Sequence, residues 1–257
     1  EHPIVNLKVL RDGNLRIGTI MTFILGFGLY GSTFIIPIYT QSVLGFTATD
    51  AGLLLIPSSI TTGIMMPFIG KMLQNGVPQK YLVTGGFVIF FIYSLWMYLM
   101  MTPDTGAEHF FWPLVVRGVG LGLLFVPITT LSLSTLVGKD IGDGAAFTGM
   151  MRQLGGSFGI AIITTFIARW TQQHRVDLLP NISAIDFKVQ QRIQALQHMF
   201  MNKGFSANEA LDKAYHMLDI TVTRQATVLS YMDVFLYLGI LFLVCVPFVL
   251  LIKKGAG

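Results

Sequence analysis

The sequence has little charge and almost no cysteine. Cys245 is the one cysteine among 257 residues, and only 12% of the residues are charged. A lone cysteine excludes an internal disulfide and any multi-cysteine metal site. The charge deficit excludes more. Soluble domains carry about 25% charged residues, and a chain with half that share has too few polar groups to cover a water-facing surface. The five histidines, His2, His109, His174, His198 and His216, lie far apart in the sequence, without metal-ligand spacing. No Ser/His/Asp or Cys/His arrangement stands out, so the sequence points away from enzyme chemistry and implies neither a metal nor a cofactor. The net charge of +4 comes from dispersed basic residues, which speaks against a nucleic-acid surface. The chain opens on Glu1 without a signal-peptide pattern, and it reads as a piece of a longer protein.

The uncharged stretches are long. No charged residue separates Arg16 from Asp50, Asp50 from Lys71, Lys80 from Asp104, Arg117 from Lys139, or Asp233 from Lys253. Each gap approaches or exceeds the ~20 residues that cross hydrocarbon as a helix, and the mean hydropathy is +0.66. Six spans are predicted, at residues 15–39, 51–70, 81–101, 110–131, 145–168 and 226–252. Short loops set the orientation. Lys8, Arg11, Arg16, Lys71, Lys80, Lys139, Lys253 and Lys254 fall on one side, while the loops at 40–50 and 102–109 hold no Lys or Arg. Both ends are therefore expected in the cytoplasm. The fold class is all-α and membrane-embedded. Residues 1–168 form the first five spans, 169–225 a helical extracytoplasmic segment, and 226–257 the last span and tail.

That outer segment shows two helical signals. Val189, Ile193, Leu196 and Phe200 recur on one helix face. Ser206 and Glu209 make a capping box for a second helix. A small cap over the bundle and a docking surface for a partner protein both fit this pattern.

Gly26, Gly28 and Gly31 spell G-x-G-x-x-G, with Asp50 at about the distance of a ribose-binding acid. A dinucleotide site needs a strand before those glycines and a helix opening at them. Here they lie inside one uncharged run, where a backbone in hydrocarbon must bond to itself. They are expected to form a close-packing helix face, and Asp50 an N-terminal residue of span two.

Three stretches carry a family resemblance. They are His2-Pro-Ile-Val-Asn-Leu-Lys-Val-Leu-Arg11, Arg117-Gly-Val-Gly-Leu-Gly-Leu-Leu-Phe-Val-Pro-Ile-Thr-Thr130, and Met151-Arg-Gln-Leu-Gly-Gly-Ser-Phe-Gly159. With the long outer segment and Ser230-Tyr-Met-Asp-Val-Phe235, their order resembles the C-terminal half of EmrB/QacA-type drug:proton antiporters, fourteen-helix members of the major facilitator superfamily. The resemblance implies a six-helix half built from two inverted three-helix repeats. It also implies proton-coupled efflux of lipophilic drugs across the bacterial cytoplasmic membrane by alternating access. The implied partners are an N-terminal half, lipophilic small molecules, protons, the bilayer and a periplasmic adaptor at residues 169–225. The coupling carboxylates are expected in the other half, since no acid lies deep in spans one to five. One loop departs from the family pattern: Gln74 and Asn75 stand in Gly70–Gly76 where an acid and a base are expected. An exporter of one defined metabolite, lipid or peptide fits the same scaffold, and so does a non-transporting membrane interaction protein.

Several residues are candidates on this reading. Arg117 and Arg152 lie several residues inside their spans, where a central charge costs about 2.5–3.5 kcal/mol on insertion scales. Each has a structural reading, bonding to helix-end groups, beside a functional one. Arg117 is further expected to form an outer-side pair with Asp233 that changes during the cycle. Gly118, Gly120, Gly122, Gly155, Gly156 and Gly159 let helices approach closely, which serves packing and sliding alike. Tyr30, Phe34, Tyr39 and Phe125 are candidate walls of a drug-sized cavity, with core or lipid packing as the other reading. Thr129, Thr130, Ser58 and Ser59 are polar groups at membrane depth, most expected to bond their own helix and a minority to face the cavity. Pro37, Pro57, Pro67, Pro127 and Pro247 are expected to kink or open their helices.

Overall fold

A computed structural model of the chain describes residues 13–181 and 187–250. The stretch 2–11 and Lys253 and Lys254 lie outside the described residues. Within them, every regular element is helical. The chain divides into two compact units, one made of residues up to 164 and from 232 onward, the other of residues 165–231.

Eight α-helices follow in order: α1 (Gly13–Ser42), α2 (Ala48–Leu53), α3 (Ile56–Gln74), α4 (Gln79–Met100), α5 (Phe111–Leu133), α6 (Lys139–Leu178), α7 (Phe187–Met201) and α8 (Ala207–Leu250). Six segments are long and apolar enough to cross a membrane: Gly13–Ser42, Ala48–Gln74, Gln79–Met100, Ala107–Leu133, Asp140–Leu178 and Ala207–Val249. The second contains α2 and α3. Thr47 caps α2, donating from its hydroxyl to an Asp50 carboxylate oxygen at 2.7 Å and accepting from the Asp50 N–H at 3.2 Å. The helix then breaks at Leu54–Leu55, and Pro57 stands in the first turn of α3, where its missing N–H costs nothing. The other four span prolines lie inside helices.

The last two spans exceed their expected limits. α6 runs 40 residues and α8 runs 44, each about 60 Å or more at 1.5 Å per residue. No glycine or proline interrupts 160–178 or 207–238, so nothing in those stretches stops helix propagation. The second outer helix and the sixth span are one continuous helix for this reason.

In the first unit, α5 packs against α1, α3 and α4. Aromatic rings fill the space between α4 and α8. Phe90 stacks on Phe242 at 4.2 Å between centroids, and Tyr93 meets Phe235 edge-on at 6.0 Å. All four rings are fully buried or nearly so.

In the second unit, Ile193 and Leu196 of α7 pack with Ala214 of α8, flanked by Val189, Leu211 and Leu218. Two of the four stripe residues therefore cluster with α8, Val189 flanks that cluster, and Phe200 packs edge-on against Phe205 instead. Arg175 and Asp219 form an ion pair at 2.6 Å between α6 and α8. The Ser206 N–H donates to Glu209 at 3.0 Å and the Glu209 N–H to the Ser206 hydroxyl at 3.4 Å, the reciprocal bonding of a capping box. Ser206→Ala should cost the start of α8 about 1 kcal/mol. Hydrogen exchange of the amides at 207–210 should then quicken about fivefold, with those of α7 unchanged.

Candidate functional site

Helix α5 owes its position to glycines on two of its faces. A Cβ on Gly118 would lie 2.6 Å from the Ser58 carbonyl oxygen, and one on Gly122 would lie 3.1 Å from the Met65 Cβ, both on α3. On the opposite side, a Cβ on Gly120 would lie 3.3 Å from the Phe90 nitrogen of α4. Alternate glycines thus let α3 and α4 close on α5 from different directions, where dispersion holds membrane helices together.

The G-x-G-x-x-G run of α1 works in the same way against two helices. A Cβ on Gly26 would lie 2.1 Å from the Arg152 carbonyl oxygen, and one on Gly31 would lie 2.6 Å from the Ile163 side chain. Both neighbours belong to α6. Gly28 faces α8, with the Phe242 ring 2.0 Å from its ideal Cβ. The α6 glycines return the contact. An ideal Cβ would lie 2.1 Å from the Phe23 carbonyl oxygen on Gly155, 2.3 Å from the Tyr30 ring on Gly156, and 2.9 Å from the Phe27 carbonyl oxygen on Gly159. The α1–α6 seam is therefore a backbone-to-backbone contact with glycine on both sides.

Arg117 lies six residues into α5, about 9 Å along the axis, and is 3% exposed. Its Nε donates to the Ser32 hydroxyl at 3.0 Å and Nη1 to the Ser58 hydroxyl at 2.9 Å. Nη2 donates to the Leu29 carbonyl at 3.3 Å and to the Thr33 hydroxyl. These bonds go to α1 and α3, and not to Asp233. Hydroxyls suit this task because Ser32 and Thr33 also donate to Gly28 and Leu29, each at 2.6 Å, which turns their lone pairs toward the cation. The result is a buried positive charge held by neutral oxygens, tying three helices together.

The other candidates separate into two places. Arg152 lies over the Phe125 ring at 4.8 Å to its centroid, a cation–π contact between α6 and α5. Thr129 bonds the Phe125 carbonyl at 2.7 Å, one turn along. Tyr30 belongs to the α1–α6 seam, and Phe34 is half-buried on the same helix. Tyr39, expected on a cavity wall, is instead fully buried. Its hydroxyl bonds the Thr102 carbonyl at 2.7 Å, and its ring packs against Phe110. Thr130 and Ser59 bond their own helices, whereas Ser58 serves Arg117. None of Tyr30, Phe34, Arg117, Phe125 and Thr129 lines the cavity of about 540 Å³ found at the opposite, lysine-bearing end of the bundle.

Ser32 and Thr33 did not stand out in the sequence. They lie 85 and 84 residues from Arg117, and serines and threonines are common within apolar runs. An uncompensated arginine at membrane depth was the one available signal, since it must find acceptors somewhere.

Residues 1–160 match the Major Facilitator Superfamily. The chain is 29% identical over 254 residues to a fatty acid resistance protein of Neisseria gonorrhoeae, covering 98% of this chain and 48% of that protein. It is 26% identical over 261 residues to a multidrug export protein, EmrB, of Escherichia coli, covering all of this chain and 49% of that protein. A colistin resistance protein of Acinetobacter baumannii is 23% identical over 254 residues, with 98% and 48% covered. The chain thus spans about half the length of the curated relatives it matches. Six apolar spans, glycine-lined helix contacts and a match over more than half of the sequence agree: the chain belongs to the Major Facilitator Superfamily, as a multi-pass membrane protein.

Proposed function

We propose that this chain is the C-terminal bundle of a bacterial exporter that moves lipophilic toxic compounds outward in exchange for protons. Alternating access against an N-terminal bundle provides the mechanism. The supporting observation is a pair of exposed apolar faces. On α3, Ile56, Ile60, Ile64 and Phe68 recur every fourth residue at 45–60% exposure, and on α6 Met150, Leu154, Phe158 and Ile162 do the same at 41–55%. The second candidate span is only 11% buried, although its sequence is as apolar as that of its neighbours. These two faces are suited to seat a second bundle, and the names of the similar exporters supply the cargo class. The lysine-bearing loops put both ends in the cytoplasm, and residues 169–225 then form an extracytoplasmic contact for an adaptor.

The full-length transporter should lower accumulation of a lipophilic cationic dye in an efflux-deficient strain, and a protonophore should abolish the effect. Dye extrusion that persists after collapse of the proton gradient would rule out antiport. Deleting residues 169–225 should reduce efflux while leaving membrane insertion intact; unchanged efflux would remove the adaptor role. Similarity to a fatty acid resistance protein favours a second reading, export of one class of amphiphile. A narrow substrate profile in the same strain would select it.

A further inference from the structure

We propose that the cavity at the lysine-bearing end of the bundle binds the anionic head of a single-chain amphiphile, a carboxylate or phosphate carried on an alkyl tail. The cavity measures about 540 Å³, within the ~300–1,000 Å³ range of small-molecule sites. Its inner wall is apolar and comes from three helices: Met21 of α1, Val83 of α4 and Ile128 of α5, each at most 6% exposed. Asn14, Gln79 and Lys80 give the rest of the lining its polar and charged character.

The lining has one sign of charge. Among the described residues, Lys80 is the one ionisable group lining the cavity. Its Nζ lies 5.1 Å above the Tyr81 ring, a contact that holds the ammonium without neutralising it. Lys80 also belongs to the first turn of α4, whose cap residue, Pro78, supplies no side-chain bond to the free N–H groups there. Those groups add partial positive charge to the same lining. A cation entering the cavity meets repulsion, and a neutral alkane gains only the inner wall. An anion on an alkyl chain satisfies both ends, with the head at Lys80 and the tail against Met21, Val83 and Ile128. None of the groups around Arg117 takes part, so this site is separate from the outer-side cluster and stands or falls independently of transport.

The test is binding to the full-length transporter in a non-ionic detergent. The probe is dodecanoic acid with a photoactivatable diazirine on its tail, and labelled positions are mapped by peptide mass spectrometry. Labelling is expected at Met21, Val83 and Ile128, with competition by dodecyl phosphate. Lys80→Gln should lower it about tenfold, the loss of one charge-assisted hydrogen bond, and Lys80→Arg should retain it. Gln79→Glu, which leaves Lys80 in place, should also lower it, so the result does not rest on one variant's folding. A matched alkyltrimethylammonium probe should leave these positions unlabelled. Equal labelling by that cationic probe, or labelling insensitive to both substitutions, would overturn the proposal. The same measurement in nanodiscs tests the occupant's form: no competition by phosphatidylglycerol or phosphatidylcholine supports a free single-chain amphiphile, and competition by phosphatidylglycerol alone would assign the site to a two-chain lipid and overturn the proposal.

Discussion

Gly26→Ala should strongly disrupt the first unit. The added Cβ would lie 2.1 Å from the Arg152 carbonyl oxygen, 2.9 Å from its carbonyl carbon and 3.0 Å from its Cα. All three are backbone atoms, so no side-chain rotation makes room, and α6 must move as a body. Overpacking of this kind costs about 3 kcal/mol. Gly155→Ala makes the reciprocal clash with the Phe23 backbone and should cost a similar amount. The double variant should cost less than the sum, because helices already parted by one methyl accommodate the second. Gly85→Ala is the control, since nothing lies within 4 Å of its ideal Cβ and alanine is the better helix former. Thermal unfolding of the detergent-solubilised protein reads all four. Equal midpoints for Gly26→Ala and Gly85→Ala would mean that α1 and α6 do not meet through backbone.

In the exporter proposed above, Arg117→Met should leave the protein folded but cut efflux at least about tenfold, the worth of one hydrogen bond from a charged donor. The usual cost of deleting one partner of a buried charge is an unpaired charge left behind. Here the partners are neutral, and Ser32 and Thr33 keep their bonds to Gly28 and Leu29. The apolar replacement therefore removes a desolvated cation at little cost to folding. Arg117→Lys should fold less well than Arg117→Met. A lysine ammonium retains the charge but is a point donor, unable to reach Ser32 and Ser58 together as the forked guanidinium does. Each lost bond to a charged donor is worth about 1.5–3 kcal/mol. The order of the two midpoints, Met above Lys, distinguishes this account from a simple need for positive charge. Full transport by a stable Met variant would reduce Arg117 to packing and remove it from the working cycle.

The six spans were legible because their signal is local. A stretch such as 81–103 without one charged side chain has few stable states outside hydrocarbon, and proline or glycine inside it does not change that. The capping pair Ser206–Glu209 was legible for the same reason, since both partners lie within one helical turn, and Asp50 was legible as a residue at a helix start, though its Thr47 partner was not. The extent of α6 and α8 was less so. Hydropathy marks where hydrocarbon ends, whereas a helix ends where backbone bonding stops, and no breaker intervenes in either stretch.

The sequence by itself determined that the chain is helical and membrane-embedded, which loops carry the lysines, and that the glycines of α1, α5 and α6 are contact points. These properties follow from composition and spacing along one segment. Only the tertiary structure decided which helix each glycine meets, sending Gly26 and Gly31 to α6, Gly28 to α8, and Gly118 and Gly120 to opposite neighbours. It alone joined Arg117 to Ser32, Thr33 and Ser58 rather than to Asp233, and brought Lys80 into the lining of the same cavity as Met21, Val83 and Ile128. The physical reason is that helices in lipid are fitted by shape. Segments of nearly equal hydropathy are distinguished by the depth and direction at which their backbones approach, and these distances appear only once the helices are packed.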